Sequence, residues 1–272
     1  MKKFILICMA TALAVNTSFA WGRLAHATVA KIAENHLSKK AKKQITTYLD
    51  GKSIVYYASY ADDYKPELLL DTGFEPSNTT RLTTYPHTFE ANDDCTVFRG
   101  TRKGDKFIKN CIYQTEQIAA SLKANHKEMS DSVRMTAIAL IVHFVGDMHC
   151  PEHMRFPEDQ TIGYYKVKFG KEPLRYHSLW DTQIVATRNP WGYSDFARFL
   201  DTFDKKQIAE VTAGDLYDWG EDAARSSRHV HTVKEGDQLD KRLYLNEYQP
   251  LAESQIRKAG YRLAKVLNDV FR

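Results

Sequence analysis

Ser130-Asp-Ser-Val-Arg-Met-Thr-Ala-Ile-Ala-Leu-Ile-Val-His143-Phe-Val-Gly-Asp147-Met-His-Cys-Pro-Glu-His153 is the stretch on which the fold turns. Ser130 or Asp131 can cap a helix from Val133 to about His149, and Pro151 stops it. The run is apolar on nearly every side, so the helix belongs at the centre of the molecule with other elements packed around it. Two groups break the apolar pattern. His143 and Asp147, four residues apart, share one face a turn apart. Ionisable groups inside so apolar a helix are costly unless paired or metal-bound. A buried His143–Asp147 hydrogen bond is the plainer reading of this pair alone.

Outward from this helix, 3.6-residue periodicity dominates. Val29, Ile32, Ala33 and Leu37 mark one stripe in Ala25 to Leu37. Ser38 can cap a second helix that ends at Asp50-Gly51. Cys111 to Leu122 and Leu251 to Phe271 are two more, the last broken only at Gly260. Strand signals are few: Tyr164 to Phe169 alternates weakly between Gly163 and Gly170 and suits a short hairpin arm. Pro76 to Gly104 is polar and turn-rich, a long loop of the kind that usually carries function or is disordered. The expectation is an all-α single domain with long loops and at most a short β-hairpin.

The chain has 272 residues, 43% hydrophobic and 26% charged, which disfavours disorder, collagen and coiled coil. A net charge of +4 is too mild to argue nucleic-acid binding from electrostatics. Residues 1–20 read as a signal peptide: Lys2 and Lys3, an apolar run from Phe4 to Val15, then Ser18-Phe19-Ala20 with small residues at −3 and −1. That run is too short to span a bilayer, so no membrane anchor is expected. Removal of residues 1–20 takes away Lys2, Lys3 and Cys8, leaves residues 21–272 as the folded domain, and places it outside the cytoplasm, secreted or periplasmic. There, Cys95 and Cys111 can close a loop by their proximity, leaving Cys150 odd. Cys150, between His149 and Pro151, is either a small buried filler or a ligand.

Further histidines and acids extend the first pair. His153 follows six residues after Asp147, and His177 and Asp181 repeat the four-residue spacing at a helix start. Imidazole nitrogen and carboxylate oxygen both suit zinc, and two such pairs plus His153 tip the reading from a structural pair to a metal site. Cleavage before Trp21 would also free an α-amino group whose pKa near 8 allows metal binding, with His26 five residues on.

These stretches, with Trp21-Gly-Arg-Leu-Ala-His26, Ala58-Ser-Tyr-Ala-Asp62 and Ala259-Gly-Tyr-Arg-Leu-Ala-Lys-Val-Leu-Asn268, resemble the zinc-dependent single-strand-specific nucleases. Those are secreted fungal enzymes and plant bifunctional nucleases that share the zinc phospholipase C fold. The resemblance spans residues 21–272 in order and implies three zinc ions. Asp62, His87, His143 and Asp147 would hold the first, and His153, His177 and Asp181 the second. The Trp21 amine and carbonyl, His26 and the other oxygen of Asp147 would hold the third. It also implies hydrolysis of single-stranded DNA and RNA to 5′-phosphate ends, and of 3′-nucleotides. The attacking group would be a hydroxide shared by two ions and oriented by Asp62, with Lys65 contacting the phosphate. The protein would act as a monomer. Where the family carries Gly-Gly-Asn, this chain has Asp159-Gln-Thr-Ile-Gly-Tyr164, so Tyr164 and Tyr165 become the candidates for stacking on a base. A phospholipase C-like phosphodiesterase and a non-catalytic zinc-binding protein are the alternatives.

Overall fold

A computed structural model describes residues 21–64, 87–100, 102–103, 106–107, 110–157, 165–188 and 191–272. The signal-peptide assignment, Lys65 and Tyr164 lie outside the described residues. The elements begin with α1 (Arg23–Asn35), α2 (Lys39–Tyr48), α3 (Tyr60–Asp63) and β1 (Phe89–Glu90). They continue with β2 (Arg102–Lys103), β3 (Lys106–Phe107), α4 (Cys111–Asn125), α5 (Asp131–Asp147) and β4 (Met154–Arg155). Then come β5 (Lys166–Phe169), β6 (Glu172–Arg175), α6 (Tyr176–Ser178), α7 (Ile184–Ala186) and α8 (Tyr193–Leu200). The chain ends with α9 (Lys205–Val211), α10 (Leu216–Ser227), β7 (Gln238–Leu239) and α11 (Lys241–Val270). The fold is mostly helical, with only short strands.

Helix α5 is the central element. Ser130 Oγ accepts from the Val133 N–H at 3.3 Å, satisfying one of the donors a helix start leaves open. Every residue from Thr136 to Asp147 is buried, as an all-round apolar helix requires. Around it pack α1, α2, α3, α4 and α11. Helix α2 is capped by Ser38 and stops where Asp50 and Gly51 take positive φ of 53° and 76°. Asn110 caps α4 with one side-chain atom and, through its Nδ2, donates to the carbonyls of Phe98 and Gly100, tying the preceding loop to the helix.

The last helix starts ten residues before the periodic stripe, at the Asp240 cap, and runs through Pro250. Proline costs the helix one donor without ending it, because this part of α11 is held by packing. Where α1 meets α11, a Cβ on Gly260 would lie 2.6 Å from Ile32 Cβ and Cγ2. Glycine is therefore required for the two backbones to approach. Gly260→Val should cost about 1–3 kcal/mol of stability through overpacking, read as a lower denaturation midpoint at unchanged slope. An unchanged midpoint would mean that the α1–α11 contact is looser than this.

The hairpin arm is present as β5–β6, antiparallel, and β7 adds in parallel on the other side of β5. Gly170 makes the turn at φ 65°. Among the described residues, two two-stranded pieces complete the β content: β2 with β3, and β1 parallel to β4, with Phe89 opposite Met154. The expected Cys95–Cys111 bond is not formed. Cys95, Cys111 and Cys150 are all free, buried thiols. Cys95 occupies a left-handed turn at φ 65°, whereas Cys111 opens α4 within the core. Nearness along the chain did not bring the two sulfurs into bonding position.

Candidate metal centre

Four pieces of chain meet at the C-terminal end of α5. Helix α5 itself brings His143 and Asp147, both fully buried. The 3₁₀ turn Pro151–His153 brings His153, with the chain reversed by Pro151 at the turn's start. The β1–β4 pairing sets Phe89 beside Met154, and so carries His87, two residues before β1, to the same place. From the other side, α6 carries His177 and continues into a π-helical turn over Leu179–Gln183 that carries Asp181. Single π turns inside helices recur at functional sites, because the extra residue re-aims side chains.

The start of the described chain completes the ring. Trp21 is fully buried in the core. The Gly22 N–H donates to the Asp181 carbonyl, and a Cβ on Gly22 would come 2.7 Å from that oxygen. In α1, His26 packs so closely on α5 that a Cβ on Gly146 would lie 2.7 Å from His26 Nδ1. Both glycines are thus required by close approach. The rings of His26 and His143 stack at 4.3 Å, and those of His153 and His177 at 5.0 Å.

Asp147 is the hub. Its Oδ2 lies 2.9 Å from His87 Nδ1 and 3.0 Å from His143 Nε2. Its Oδ1 lies 3.3 Å from both His26 Nε2 and His153 Nδ1. Asp62, in the first turn of α3, stands 3.8 Å from His87 Nδ1 and 3.9 Å from His143 Nε2. Asp181 faces His177 Nε2 at 3.1 Å with one oxygen and His153 Nε2 at 3.6 Å with the other. A tetrahedral zinc ion with bonds of about 2.0–2.1 Å holds its ligand atoms about 3.3 Å apart, a value that the separations here, 2.9 to 3.9 Å, bracket. His143 Nδ1 meets the Ala58 carbonyl at 2.9 Å, leaving Nε2 to face the carboxylates. That carbonyl is a positioning group that the sequence reading did not single out.

Buried atoms without a hydrogen bond collect here: both nitrogens of His26, Asp147 Oδ1, His153 Nδ1, His177 Nδ1 and Asp181 Oδ2. Such concentration is expensive in a finished protein core and is relieved by a cation. The charges are divided unevenly. Burial works against a charge on His143 and His153, but Asp147, with Asp62 and Asp181, outweighs it and holds them up at about 9 and about 10. Burial dominates at His26, His87 and His177 and lowers all three. Against the pull of burial, the His143 and His153 charges keep Asp147 well below the usual carboxylate range, whereas burial raises Asp181.

Eight of the nine residues expected as ligands, His26, Asp62, His87, His143, Asp147, His153, His177 and Asp181, therefore bring their side chains into one cluster, and Trp21 adjoins it through the Gly22 N–H bond to the Asp181 carbonyl. Tyr165 is half-buried and stacks on buried Tyr176 at 5.3 Å, so one face of its ring is engaged in packing. His149 belongs to the core: Nδ1 meets the Val145 carbonyl, and Nε2 accepts from Arg262 at 2.9 Å. Burial and the neighbouring guanidinium press its pKa down to about 3. His36, His126, His229 and His231 lie outside the cluster, against Asp201, Tyr48, Tyr248 and the Pro151 carbonyl.

The family model for S1/P1 nuclease matches residues 21–272. Nuclease S1 of Aspergillus oryzae is 26% identical, covering 98% of each chain. Endonuclease 2 of Arabidopsis thaliana is 23% identical over 92% of this chain and 90% of its own. Nuclease P1 of Penicillium citrinum is 28% identical over 60% of this chain and 58% of its own. With the family model matched across all of residues 21–272, this chain belongs to the S1/P1 nuclease family.

Proposed function

We propose that residues 21–272 form an exported zinc phosphodiesterase that cuts single-stranded DNA and RNA and removes phosphate from 3′-nucleotides. The observation that carries this reading is Asp147, one buried carboxylate with an imidazole on each side of both oxygens. Three zinc ions fit the donor set: the first on Asp62, His87, His143 and Asp147, the second on His153, His177 and Asp181. The third would sit on the Trp21 amine and carbonyl, His26 and the second oxygen of Asp147. Bound zinc supplies Lewis acidity, a coordinated water of lowered pKa and neutralisation of phosphoryl charge.

The protein's part is to place and charge these groups. His87 and His177 keep 16% of their side-chain surface exposed, whereas His143 and Asp147 have none. A phosphate therefore approaches over those two imidazoles, with His143 and Asp147 buried behind them. A recessed phosphate site suits a strand that can bend into it. Asp62, beside His87 and His143 at the open end of α5, is the carboxylate placed to orient an attacking water. Lys65, three residues beyond it, is proposed to meet the phosphate.

Metal must displace protons from this cluster. With His143 held at about 9 and His153 at about 10, both imidazoles are charged at pH 7 in the metal-free chain. Their pKa values are raised, so the protons stay until a cation replaces them, and zinc affinity climbs with pH up to that range. Calorimetry of zinc loading at pH 7 in buffers of different ionisation enthalpy should show release of at least one proton per chain. A heat independent of buffer would overturn the protonation assignment.

The experiment that tests the function presents the zinc-loaded chain beginning at Trp21 with single-stranded DNA, RNA, 3′-AMP and phosphatidylcholine vesicles. Cleavage of the first three is expected. Cleavage of the lipid alone would indicate a phospholipase, and turnover of none would indicate a binding protein.

A further inference from the structure

Beside the second ion's residues lies a donor of different chemistry. Cys150 sits between the end of α5 and the Pro151 turn and is fully buried. Its backbone is fixed at both ends: its N–H donates to the Asp147 carbonyl at 2.9 Å, and its carbonyl accepts from the His153 N–H at 2.9 Å. This geometry turns Sγ toward Asp181, 3.9 Å from Oδ1. Cys150 Sγ, one ring nitrogen of His153 and one carboxylate oxygen of Asp181 all lie within 4.8 Å of one another. His153 Nε2 lies 3.6 Å from the same Asp181 Oδ1, and the other buried atoms of these two residues, His153 Nδ1 and Asp181 Oδ2, make no hydrogen bond. Sulfur bonds zinc at about 2.3 Å and oxygen at about 2.0–2.2 Å, so S and O on one ion stand about 3.5 Å apart. Cys150 is within a few tenths of an ångström of that separation.

We infer that Cys150 Sγ is a further ligand at the second ion position, beside His153, His177 and Asp181. The inference rests on the metal-centre reading above and adds to it a soft donor. A thiol contributes as the thiolate, so its proton leaves to solvent as the cation enters. The consequence is selectivity: a position with one sulfur favours zinc, cobalt or cadmium over manganese, which prefers oxygen. A fourth protein donor also fills one of the positions that a catalytic zinc ordinarily keeps open. The second ion would then be held more firmly and offer less room to a water than a site of two imidazoles and one carboxylate.

The test is zinc-edge X-ray absorption on the zinc-loaded chain beginning at Trp21, with the metal content of the same sample measured. A Zn–S shell at about 2.3 Å is expected, corresponding to one sulfur shared over all bound ions. It should vanish in Cys150→Ser and persist in the Cys95→Ala/Cys111→Ala double variant. Cobalt loading gives an independent reading without any variant: a sulfur-to-cobalt charge-transfer band in the near ultraviolet. Bound zinc without a sulfur shell, or a shell that survives Cys150→Ser, overturns the assignment while the metal centre stands. A chain that binds no zinc overturns both.

Discussion

Asp147→Asn is expected to lower single-stranded DNA cleavage by roughly 10²–10³-fold or more and to reduce bound zinc. The size of the effect follows from position. Both oxygens of Asp147 face imidazoles, Oδ2 those of His87 and His143 and Oδ1 those of His26 and His153. No other side chain in the cluster faces four imidazoles. Asparagine keeps the shape but presents a neutral oxygen on one side and an N–H₂ on the other, which repels a cation. The fold should tolerate the change. Removing the carboxylate takes away the largest attraction that holds protons on His143 and His153, so burial pulls both pKa values down and less charge is left uncompensated. Helix content and melting temperature should stay close to those of the parent chain. A variant with full zinc content and an unchanged rate would remove Asp147 from the centre.

The second large effect is expected from a single added residue. The Gly22 N–H bond to the Asp181 carbonyl and the buried Trp21 side chain seat the start of α1 against the cluster, with His26 stacked on His143. In a chain that begins at Trp21, the α-amino lone pair is available to a metal. An amide nitrogen has no such lone pair, because it is delocalised into the peptide bond. A Met left ahead of Trp21 should therefore cost one zinc of three and lower the rate by orders of magnitude. The side chains proposed to hold the other two ions are untouched, so fold and partial loading should survive. Equal zinc content and equal rate in the Met-Trp21 and Trp21 forms would show that the terminus is not a ligand. On this reading, removal of residues 1–20 is the step that completes the centre.

Much of this centre can be read in the sequence because its strongest signals are local. A cap at Ser130, an apolar run and a stop at Pro151 define α5, and the four-residue spacing of His143 and Asp147 places both on one face. The same spacing marks His177 and Asp181. What joins them is not local. His87 reaches the cluster through two residues of parallel pairing between β1 and β4, too short for any periodic signal. The π turn at Leu179–Gln183 depends on tertiary packing, because no propensity rule distinguishes it from an ordinary helix start. The early start of α11 was hidden by Pro250, which a propensity argument takes as a boundary. Close approach explains Gly22, Gly146 and Gly260, and none of these contacts is visible along the chain. The cysteines teach the opposite lesson: Cys95 and Cys111 are near in sequence yet unlinked, while Cys150, the odd one by counting, faces the carboxylate of Asp181.

The central claim is that the His/Asp cluster at the end of α5 holds metal and that the metal makes the chain a nuclease. It is tested most directly by titrating the metal-free chain beginning at Trp21 with zinc while following cleavage of single-stranded DNA. The account predicts no cleavage without metal, a rate that rises until three equivalents are bound, and loss of that rate when a chelator is added. Full cleavage by a chain with no bound metal would contradict it.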